Sequence, residues 1–356
     1  MIGGVERHID ALRRAMTEVR TDVLVCSHSS RTTVVDVDGG RELRVREFGP
    51  RVLAVPVSPE VLREVRRSRA DLIHVHMPYP LGELAALGGA RGRPIVCTFH
   101  ADVVRQARWL WLYRPLVQRI LDRADAIVVS SDRIALDSPL FGRRRPIEVI
   151  PCGVDTGWFD SAQVSDDERA AVRSRYDAKS RPLVLGVGRL VYYKGFRHLI
   201  AASHGLDAEV VVVGEGPMLH ELRAEAAFAD NVHIVGALSA QDLRRHLAAA
   251  DLFVLPSTSR AESFGLATVE AQAMGKPAVV GDVGTGTTEA IAPGETGIAV
   301  PPRDPAGLHA ALAELLAAPE RLQAMGAAAR ERARERFDAC DRARDLEALY
   351  RRLTAR

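Results

Sequence analysis

The sequence is poor in several kinds of residue, and each shortage argues against a class of protein. Its four cysteines form no Cys-x-x-Cys pair, which argues against a disulfide scaffold or a zinc site. No apolar run approaches the ~20 residues of a membrane-spanning helix, and Met1–Asp10 lacks the zones of a signal peptide. The net charge of +2 gives no indication of a nucleic-acid partner. We therefore expect a soluble protein in a reducing cytoplasm.

Lysine is also scarce. Among the 48 basic residues, only Lys179, Lys194 and Lys276 are lysines. This bias indicates a genome that favours arginine codons, so each remaining lysine is a candidate for a specific role.

Length and composition are those of two globular domains, with 356 residues, 47% apolar and 26% charged. Short β-branched runs alternate with helical stretches, and most runs are apolar throughout, as in parallel strands buried on both faces. The predicted strands are Asp22–Cys26, Asp71–His76, Pro94–His100, Ala126–Ser130, Glu148–Ile150, Leu183–Gly188, Glu209–Gly214, Val232–Val235, Leu252–Pro256 and Pro277–Val280. The pattern predicts an α/β protein with two Rossmann-like, doubly wound parallel-sheet domains. A final helix is predicted over Pro319–Thr354, with a break at Phe337-Asp338.

A hairpin is predicted between Val34–Val37 and Leu43–Val45, because Asp38-Gly39-Gly40 suits a tight turn. Asp36 and Asp38 also match the Asp-x-Asp pattern that holds a metal ion in other sugar-transferring folds. Turn chemistry explains them better.

Two carboxylates follow the predicted strand that ends at Pro256, within the segment Ala261-Glu-Ser-Phe-Gly-Leu-Ala-Thr-Val-Glu-Ala271. Open α/β sheets bind ligands at this edge, and free amides at a helix start attract phosphate. Glu262 in the loop suits sugar hydroxyls, and Glu270, about two turns along the helix, suits ribose hydroxyls. An ordinary capped helix with surface acids explains the same spacing equally well.

Two cations follow the strand that precedes Gly188, in Gly186-Val-Gly-Arg-Leu-Val-Tyr-Tyr-Lys-Gly195. Arg189 and Lys194 would lie at the same sheet edge, where they could hold a diphosphate and stabilise its charge as it leaves. The alternative is a solvated basic loop, which the scarcity of lysine disfavours.

These motifs resemble the retaining glycosyltransferases of family four, which have the two-domain GT-B fold. Glu262 and Glu270 resemble the family's E-x7-E motif, and Arg189 with Lys194 resembles its arginine–lysine pair. Further matches follow the family's order: Gly3-Gly-Val-Glu-Arg-His8, Thr98-Phe-His-Ala-Asp102, Pro151-Cys-Gly-Val-Asp155 and Val213-Gly-Glu-Gly-Pro217.

The resemblance implies sugar transfer in a cleft between the domains, with retention of the anomeric configuration and without a metal or other cofactor. The catalytic residues that it implies are His100, Arg189, Lys194 and Glu262. The donor-binding residues that it implies are Gly3, Gly4, Gly188, Gly214, Phe264, Gly265, Leu266 and Glu270. A structural histidine remains the alternative for His100, and His74 and His76 are interpreted as structural.

The resemblance also implies a division of the chain. We expect an acceptor-side domain over 1–155, a donor-binding domain over 156–335, and a C-terminal helix over 336–356 that returns to the first domain. In the family a strand precedes the glycine loop, whereas only Met1 and Ile2 precede Gly3 here. We therefore expect the first domain to lack that strand, and a chain extended upstream to be more stable and active.

The donor and acceptor are less well defined by the sequence. Gly284-Thr-Gly-Thr-Thr288 and His100–Gln106 resemble members that build surface polysaccharides from GDP-mannose or related GDP-sugars, while UDP-sugars remain open. The expected acceptor is a glycan or a lipid-linked sugar. Aromatic and arginine residues over Arg105–Arg123 suit peripheral contact with the acidic inner face of the cell membrane. They suit equally a core-facing helix with a solvated basic side.

The competing functions are a nucleotide-sugar 2-epimerase and a non-catalytic nucleotide-binding scaffold.

Overall fold

A computed structural model describes residues 4–29, 31–37, 39–49, 56–100, 110–138, 140–141, 147–178 and 180–355. The chain forms two compact units. The C-terminal unit holds the chain up to His8 together with Cys152–Ala339, and the N-terminal unit holds Ile9–Pro151 together with Cys340–Arg356. The chain therefore passes between the units after His8, Pro151 and Ala339.

The N-terminal unit contains two sheets. Its strands are β1 (Thr21–Ser27), β2 (Thr33–Val37), β3 (Gly40–Arg46), β4 (Ile73–Met77), β5 (Ile95–Phe99), β6 (Ala126–Val129) and β7 (Ile147–Val149). One sheet has the order β1-β3-β2 and the other β4-β5-β6-β7. Strands β2 and β3 pair antiparallel, which confirms the predicted hairpin. Asp36 lies on β2, and Asp38 lies outside the described residues.

The helices of this half of the chain start with α1 (Gly4–Ala15), which begins in the C-terminal unit and continues into the N-terminal unit. The others are α2 (Glu60–Arg67), α3 (Pro80–Gly89), α4 (Leu110–Arg123) and α5 (Asp132–Asp137). Strands β5 and β6 are buried along their whole length, which explains their continuous apolar sequence.

The C-terminal unit contains one parallel sheet. Its strands are β8 (Leu183–Val187), β9 (Glu209–Val213), β10 (Val232–Gly236), β11 (Leu252–Leu255), β12 (Ala278–Gly281) and β13 (Gly297–Val300). They lie in the order β10-β9-β8-β11-β12-β13. The sequence predicted each of these strands except β13, a short segment in which Ile298 and Ala299 are only partly buried.

Helices cover this sheet and complete the chain. They are α6 (Asp166–Arg175), α7 (Phe196–Ser203), α8 (Leu219–Ala226), α9 (Ala240–Ala249), α10 (Leu266–Ala273), α11 (Thr287–Ala290), α12 (Pro305–Leu316), α13 (Pro319–Phe337) and α14 (Ala339–Thr354). Local sequence sets several helix starts. Ser165 and Glu168, for example, form a reciprocal capping box at the start of α6. Among the described helices, none is both long and apolar enough to cross a membrane.

The predicted break in the final helix lies at Asp338, between α13 and α14. The Val154 N–H donates to the Phe337 carbonyl at 2.8 Å, and the Ala339 N–H donates to the Val154 carbonyl at 2.9 Å. The backbone at this point therefore pairs with Val154 instead of continuing the helical ladder.

Helix α14 packs in the N-terminal unit. Leu346 and Leu349 belong to a buried cluster with Leu12 and Val96. Glu347, 1% exposed, accepts hydrogen bonds from the N–H groups of residues 17 and 18 at 2.8 and 2.7 Å. These contacts connect the end of the chain to the segment that follows α1.

The predicted division was 1–155, 156–335 and 336–356, whereas the units change after Pro151 and Ala339, and residues up to His8 group with the second half of the chain. The physical reason for the grouping of residues up to His8 is packing at the start of α1, where Arg7 binds Glu270 and His8 binds Gly153. The strand expected before the glycine loop would involve Met1–Gly3, which lie outside the described residues.

Candidate active site

The candidate donor-site residues of the C-terminal unit lie in loops after β8, β9 and β11. Because the three strands are parallel neighbours, their carboxyl ends lie at one edge of the sheet. The loop after β8 carries Gly188, Arg189 and Lys194, the loop after β9 begins at Gly214, and the loop after β11 leads through Glu262 to α10. The fold therefore brings together the motif of Arg189 and Lys194 and the motif of Glu262 and Glu270, as the sequence predicts.

Glu262 and Lys194 form an ion pair at this edge. Lys194 Nζ lies 2.5 Å from Glu262 Oε2, and the two side chains are 13% and 9% exposed. The Ser257 hydroxyl donates to the same carboxylate oxygen at 3.1 Å, and the Thr285 hydroxyl donates to the Glu262 carbonyl at 2.6 Å. Glu262 is therefore a buried group held by several contacts rather than a surface acid, which argues against the ordinary-helix interpretation.

Helix α10 starts directly after this loop, at a glycine. Gly265 has a φ of 81°, and a Cβ there would lie 2.8 Å from Leu255 Cδ2, so both conformation and space favour glycine. The amides of Phe264, Gly265 and Leu266 have no acceptor within the described part of the chain, which leaves them available to a phosphate. The Phe264 side chain itself is in the core, in edge-to-face contact with Phe337.

Glu270 lies one turn into α10 rather than two, because the helix begins at Leu266. The residue is 2% exposed. Its Oε1 lies 3.1 Å from Arg7 Nη1 on α1. Burial raises the pKa of Glu270, while the charges of Arg7 and Lys194 lower it.

The start of α1 lies beside the start of α10. A Cβ added to Gly4 would be 3.9 Å from Leu266 Cβ, so the backbone of α1 closely approaches this site. Gly3 lies outside the described residues.

Two further glycines of the set have steric roles. A Cβ on Gly214 would overlap the Gly188 carbonyl, and a Cβ on Gly188 would lie 3.3 Å from Lys194 Cε. The neighbouring Arg189 is exposed. Its charge lowers the pKa of Tyr193, although burial dominates and raises that pKa to about 12.

His100 belongs to the N-terminal unit and lies at the end of β5. Its Nε2 is 2.8 Å from Nδ1 of His76, and the two rings stack with centroids 5.1 Å apart. His74, on the same strand as His76, is bonded to Tyr350 and Thr98 at 2.5 and 2.6 Å. The structural interpretation therefore fits His74, whereas His76 directly contacts the candidate catalytic histidine.

Sequence reasoning missed the contacts of Arg7, His76, Ser257 and Thr285. Arg7 lies inside the glycine-loop motif, and this was the available signal for it. His76 and Thr285 make contacts between separate strands and loops, and the contact of Ser257 depends on how the loop before Glu262 folds back. Local sequence patterns show neither.

The scarce lysines have different environments. Lys194 lies in the site, and Lys179 lies outside the described residues. Lys276 Nζ donates to the Ala248 carbonyl at 2.8 Å, in the last turn of α9. Burial lowers the pKa of Lys276 to about 8. Lys276 therefore has a structural contact at a helix end.

The α/β units with parallel sheets, and the cation–carboxylate pair at the sheet edge, define a glycosyltransferase of the GT-B class. The family model described as "Glycosyltransferase Family 4" matches residues 2–158, and the model described as "Glycosyl transferases group 1" matches residues 168–332. The chain belongs to glycosyltransferase family 4.

Curated relatives and a solved structure agree with this assignment. The chain is 32% identical to a D-rhamnosyltransferase of Pseudomonas aeruginosa, over 95% of this chain and 89% of the relative. It is 35% identical to a GDP-mannose-dependent alpha-(1-6)-phosphatidylinositol monomannoside mannosyltransferase of Mycolicibacterium smegmatis, over 70% of this chain and 67% of the relative. A sucrose-phosphate synthase from Thermosynechococcus elongatus superposes with a TM-score of 0.83 at 25% identity, covering 99% and 94% of the two chains.

The chain is therefore an enzyme that transfers a sugar from a nucleotide sugar. The 2-epimerase alternative is wrong, because the relatives are named as transferases. The scaffold alternative is wrong for the same reason.

Proposed function

We propose that this enzyme transfers a hexosyl group, with mannosyl favoured, from a GDP-sugar to a glycan or lipid-linked acceptor, with retention at the anomeric carbon. The observation that supports this most strongly is the buried Lys194–Glu262 pair at the start of α10. Glu262 would bind sugar hydroxyls, and Lys194 would bind the diphosphate as its charge develops. His100 would orient the sugar or the acceptor.

The proposed reaction needs no metal cofactor. Arg189 and Lys194 lie on one loop after β8, and Lys194 pairs with Glu262 in the loop that leads into α10. Together with the free amides at the start of α10, the two cations would supply the positive charge that a departing diphosphate requires. Turnover that is unchanged by EDTA would support this proposal. Activity that is lost with EDTA and restored by Mg²⁺ would contradict it.

The experiment for the reaction is nucleotide release from a panel of GDP- and UDP-sugars, with water or candidate glycans as acceptors. Release is expected with at least one donor and is expected to fall at least 100-fold in Glu262→Ala and Lys194→Ala. Equal rates in the parent and both variants would contradict the assignment of the site.

The GDP preference rests on two observations. Several curated relatives are named as GDP-mannose-dependent. In this chain Gly284–Thr288, whose sequence resembles that of members that use GDP-mannose, lies against the Glu262 loop, where the Gly286 N–H donates to the Ser263 carbonyl at 2.8 Å. Binding measured by thermal shift with GDP and UDP tests the preference, and a larger shift with UDP would reverse it.

A lipid-linked acceptor would bring the enzyme to a membrane surface. Helix α4 buries Val117 and Ile120 in the core, which accounts for one side of the helix. Trp111 and Leu112 are 71% and 63% exposed, and Arg114 is exposed beside them. Trp109, Arg105 and Arg108 lie outside the described residues. The exposed aromatic, aliphatic and basic side chains suit an acidic bilayer surface.

Flotation with vesicles containing acidic phosphatidylglycerol tests this contact. The parent is expected to float, and Trp111→Ser/Leu112→Ser is expected to lose most of the bound fraction. Leu136→Ser is a matched control, because Leu136 on α5 is 82% exposed but lies away from these residues in sequence. Failure of the parent to float would contradict membrane contact.

A further inference from the structure

Arg7 is a charged residue that has no role in the proposed reaction. It lies in the first turn of α1 and is one-third exposed, with its side chain at 34%. Its Nη1 makes an ion pair with Oε1 of Glu270 at 3.1 Å. The ion pair connects α1 to α10 within the C-terminal unit.

The partner carboxylate is in an unusual environment. Glu270 is 2% exposed, and its Oε2 has no hydrogen-bond partner within the described part of the chain. A buried, unpaired carboxylate oxygen is costly, and a hydroxyl that donates to it from a bound ligand would remove that cost. Arg7 therefore holds one oxygen of Glu270 and leaves the other available.

The charges around Glu270 give Arg7 a second effect. Burial raises the pKa of Glu270, and the positive charges that oppose this effect are those of Arg7 on α1 and Lys194 on the loop after β8. Lys194 is itself paired with Glu262. Loss of Arg7 would therefore favour the protonated carboxyl, which is a weaker acceptor for a hydroxyl.

We propose that Arg7 is a positioning residue of the donor site, which holds the Glu270 carboxylate ready to accept a hydrogen bond from a ribose hydroxyl of the nucleotide. This inference rests on the proposed function and on the role that the sequence predicts for Glu270, which is to bind the ribose of the donor. It assigns Arg7 to substrate recognition in addition to its contact between helices.

The test measures the dissociation constants of GDP, 2′-deoxy-GDP and 3′-deoxy-GDP by calorimetry, with the UDP series instead if UDP binds more tightly. The parent is expected to bind the ribonucleotide about tenfold more tightly than at least one deoxy analogue, since one charge-assisted hydrogen bond is lost. Arg7→Met is expected to weaken GDP binding about tenfold and to reduce this ratio to within about twofold. Arg7→Lys is expected to restore most of the ratio.

Two further variants separate recognition from folding. Arg14→Met is the matched control, because Arg14 lies on the same helix, is 67% exposed and pairs with Asp10. It is expected to leave the ratio unchanged. In a Glu270→Gln background, where the charge to be positioned is absent, Arg7→Met is expected to change the ratio by less than about twofold.

The outcomes distinguish this inference from the function on which it rests. Equal weakening of all three nucleotides by Arg7→Met, with the parental ratio retained, would show that Arg7 only connects the helices and would overturn the inference. A parent that releases nucleotide from a donor but does not discriminate ribose from deoxyribose would also overturn it. A parent that binds neither GDP nor UDP would overturn the proposed function itself.

Discussion

At the scale of single residues, the candidate donor site contains two buried carboxylates, each of which is paired with a cation. Lys194 with Glu262 and Arg7 with Glu270 each place a cation against a carboxylate that is less than one-tenth exposed. Removing one partner of such a pair leaves the other charge uncompensated, which commonly costs about 3–5 kcal/mol. The effect of such a substitution on catalysis must therefore be separated from its effect on stability.

The two described lysines allow this separation. We expect Lys194→Met to lower kcat at least 100-fold, because it removes a charge that would stabilise the leaving diphosphate. We expect Lys276→Met to lower the melting temperature but to leave kcat within about twofold, because its contact is with the Ala248 carbonyl at the end of α9. Steady-state kinetics and thermal unfolding of both variants check this, and a kcat that falls equally in both would contradict it.

The sequence predicted Glu262 and Lys194 because both lie in contiguous motifs at the ends of recognisable strands. It could not predict that they would pair with each other, since they lie 68 positions apart in the chain and the contact depends on the order β8-β11 in the sheet. The same limit applies to Arg7. Its motif was recognised, but its partner lies on another helix.

At the scale of elements, most strands were predictable because they are buried on both faces. β8 and β9 are completely buried, so their apolar runs are continuous and short. The hairpin of β2 and β3 was predictable from its turn. The parallel pairing of β1 with β3 was not, because side-chain patterns within one strand do not specify its neighbour.

The loop after β8 depends on a glycine for its position. Gly195 has a φ of 72°, and a Cβ there would overlap the Pro256 carbonyl at the end of β11. Gly205 has a φ of 74°, but a Cβ there would meet no atom within 4 Å. Alanine would therefore meet the same backbone strain at both positions, but it would clash with a neighbouring atom only at position 195.

We expect Gly195→Ala to destabilise the protein by at least about 2 kcal/mol more than Gly205→Ala. We also expect it to raise the donor KM, because Lys194 is the preceding residue and would move with the loop. Urea unfolding and donor titration of the two variants check this. Equal destabilisation would mean that strain alone, without the clash, sets the cost.

At the scale of the whole molecule, hydrogen bonds join the segments that lie next to the points where the chain passes from one unit to the other. The Gly153 N–H donates to Nδ1 of His8 at 3.2 Å, and Val154 is hydrogen-bonded to Phe337 and Ala339. The first of these contacts joins residues 145 positions apart. The sequence indicated a turn at Pro151–Asp155 but could not show which distant segments that turn contacts.

His8 makes this region sensitive to acid. Burial lowers the pKa of His8 to about 4, against the opposing effect of the Gly153 carbonyl, which lies 3.5 Å from Nδ1. Between the ordinary pKa of about 6.5 and pH 4, the unfolded chain binds a proton that the folded chain does not. The stability that neutral His8 provides is therefore complete above pH 6.5 and is lost as the pH falls towards 4.

The expected loss from this one residue is about 2 kcal/mol between pH 7.5 and pH 5. In His8→Asn the amide oxygen can still accept from the Gly153 N–H but does not titrate, so this variant should lose less stability than the parent over the same range. His220→Asn, at an exposed position on α8, is the matched control and should follow the parent. Urea unfolding at the two pH values measures the difference. If His8→Asn and the parent lose the same free energy of unfolding, another group is responsible for the acid sensitivity of the fold.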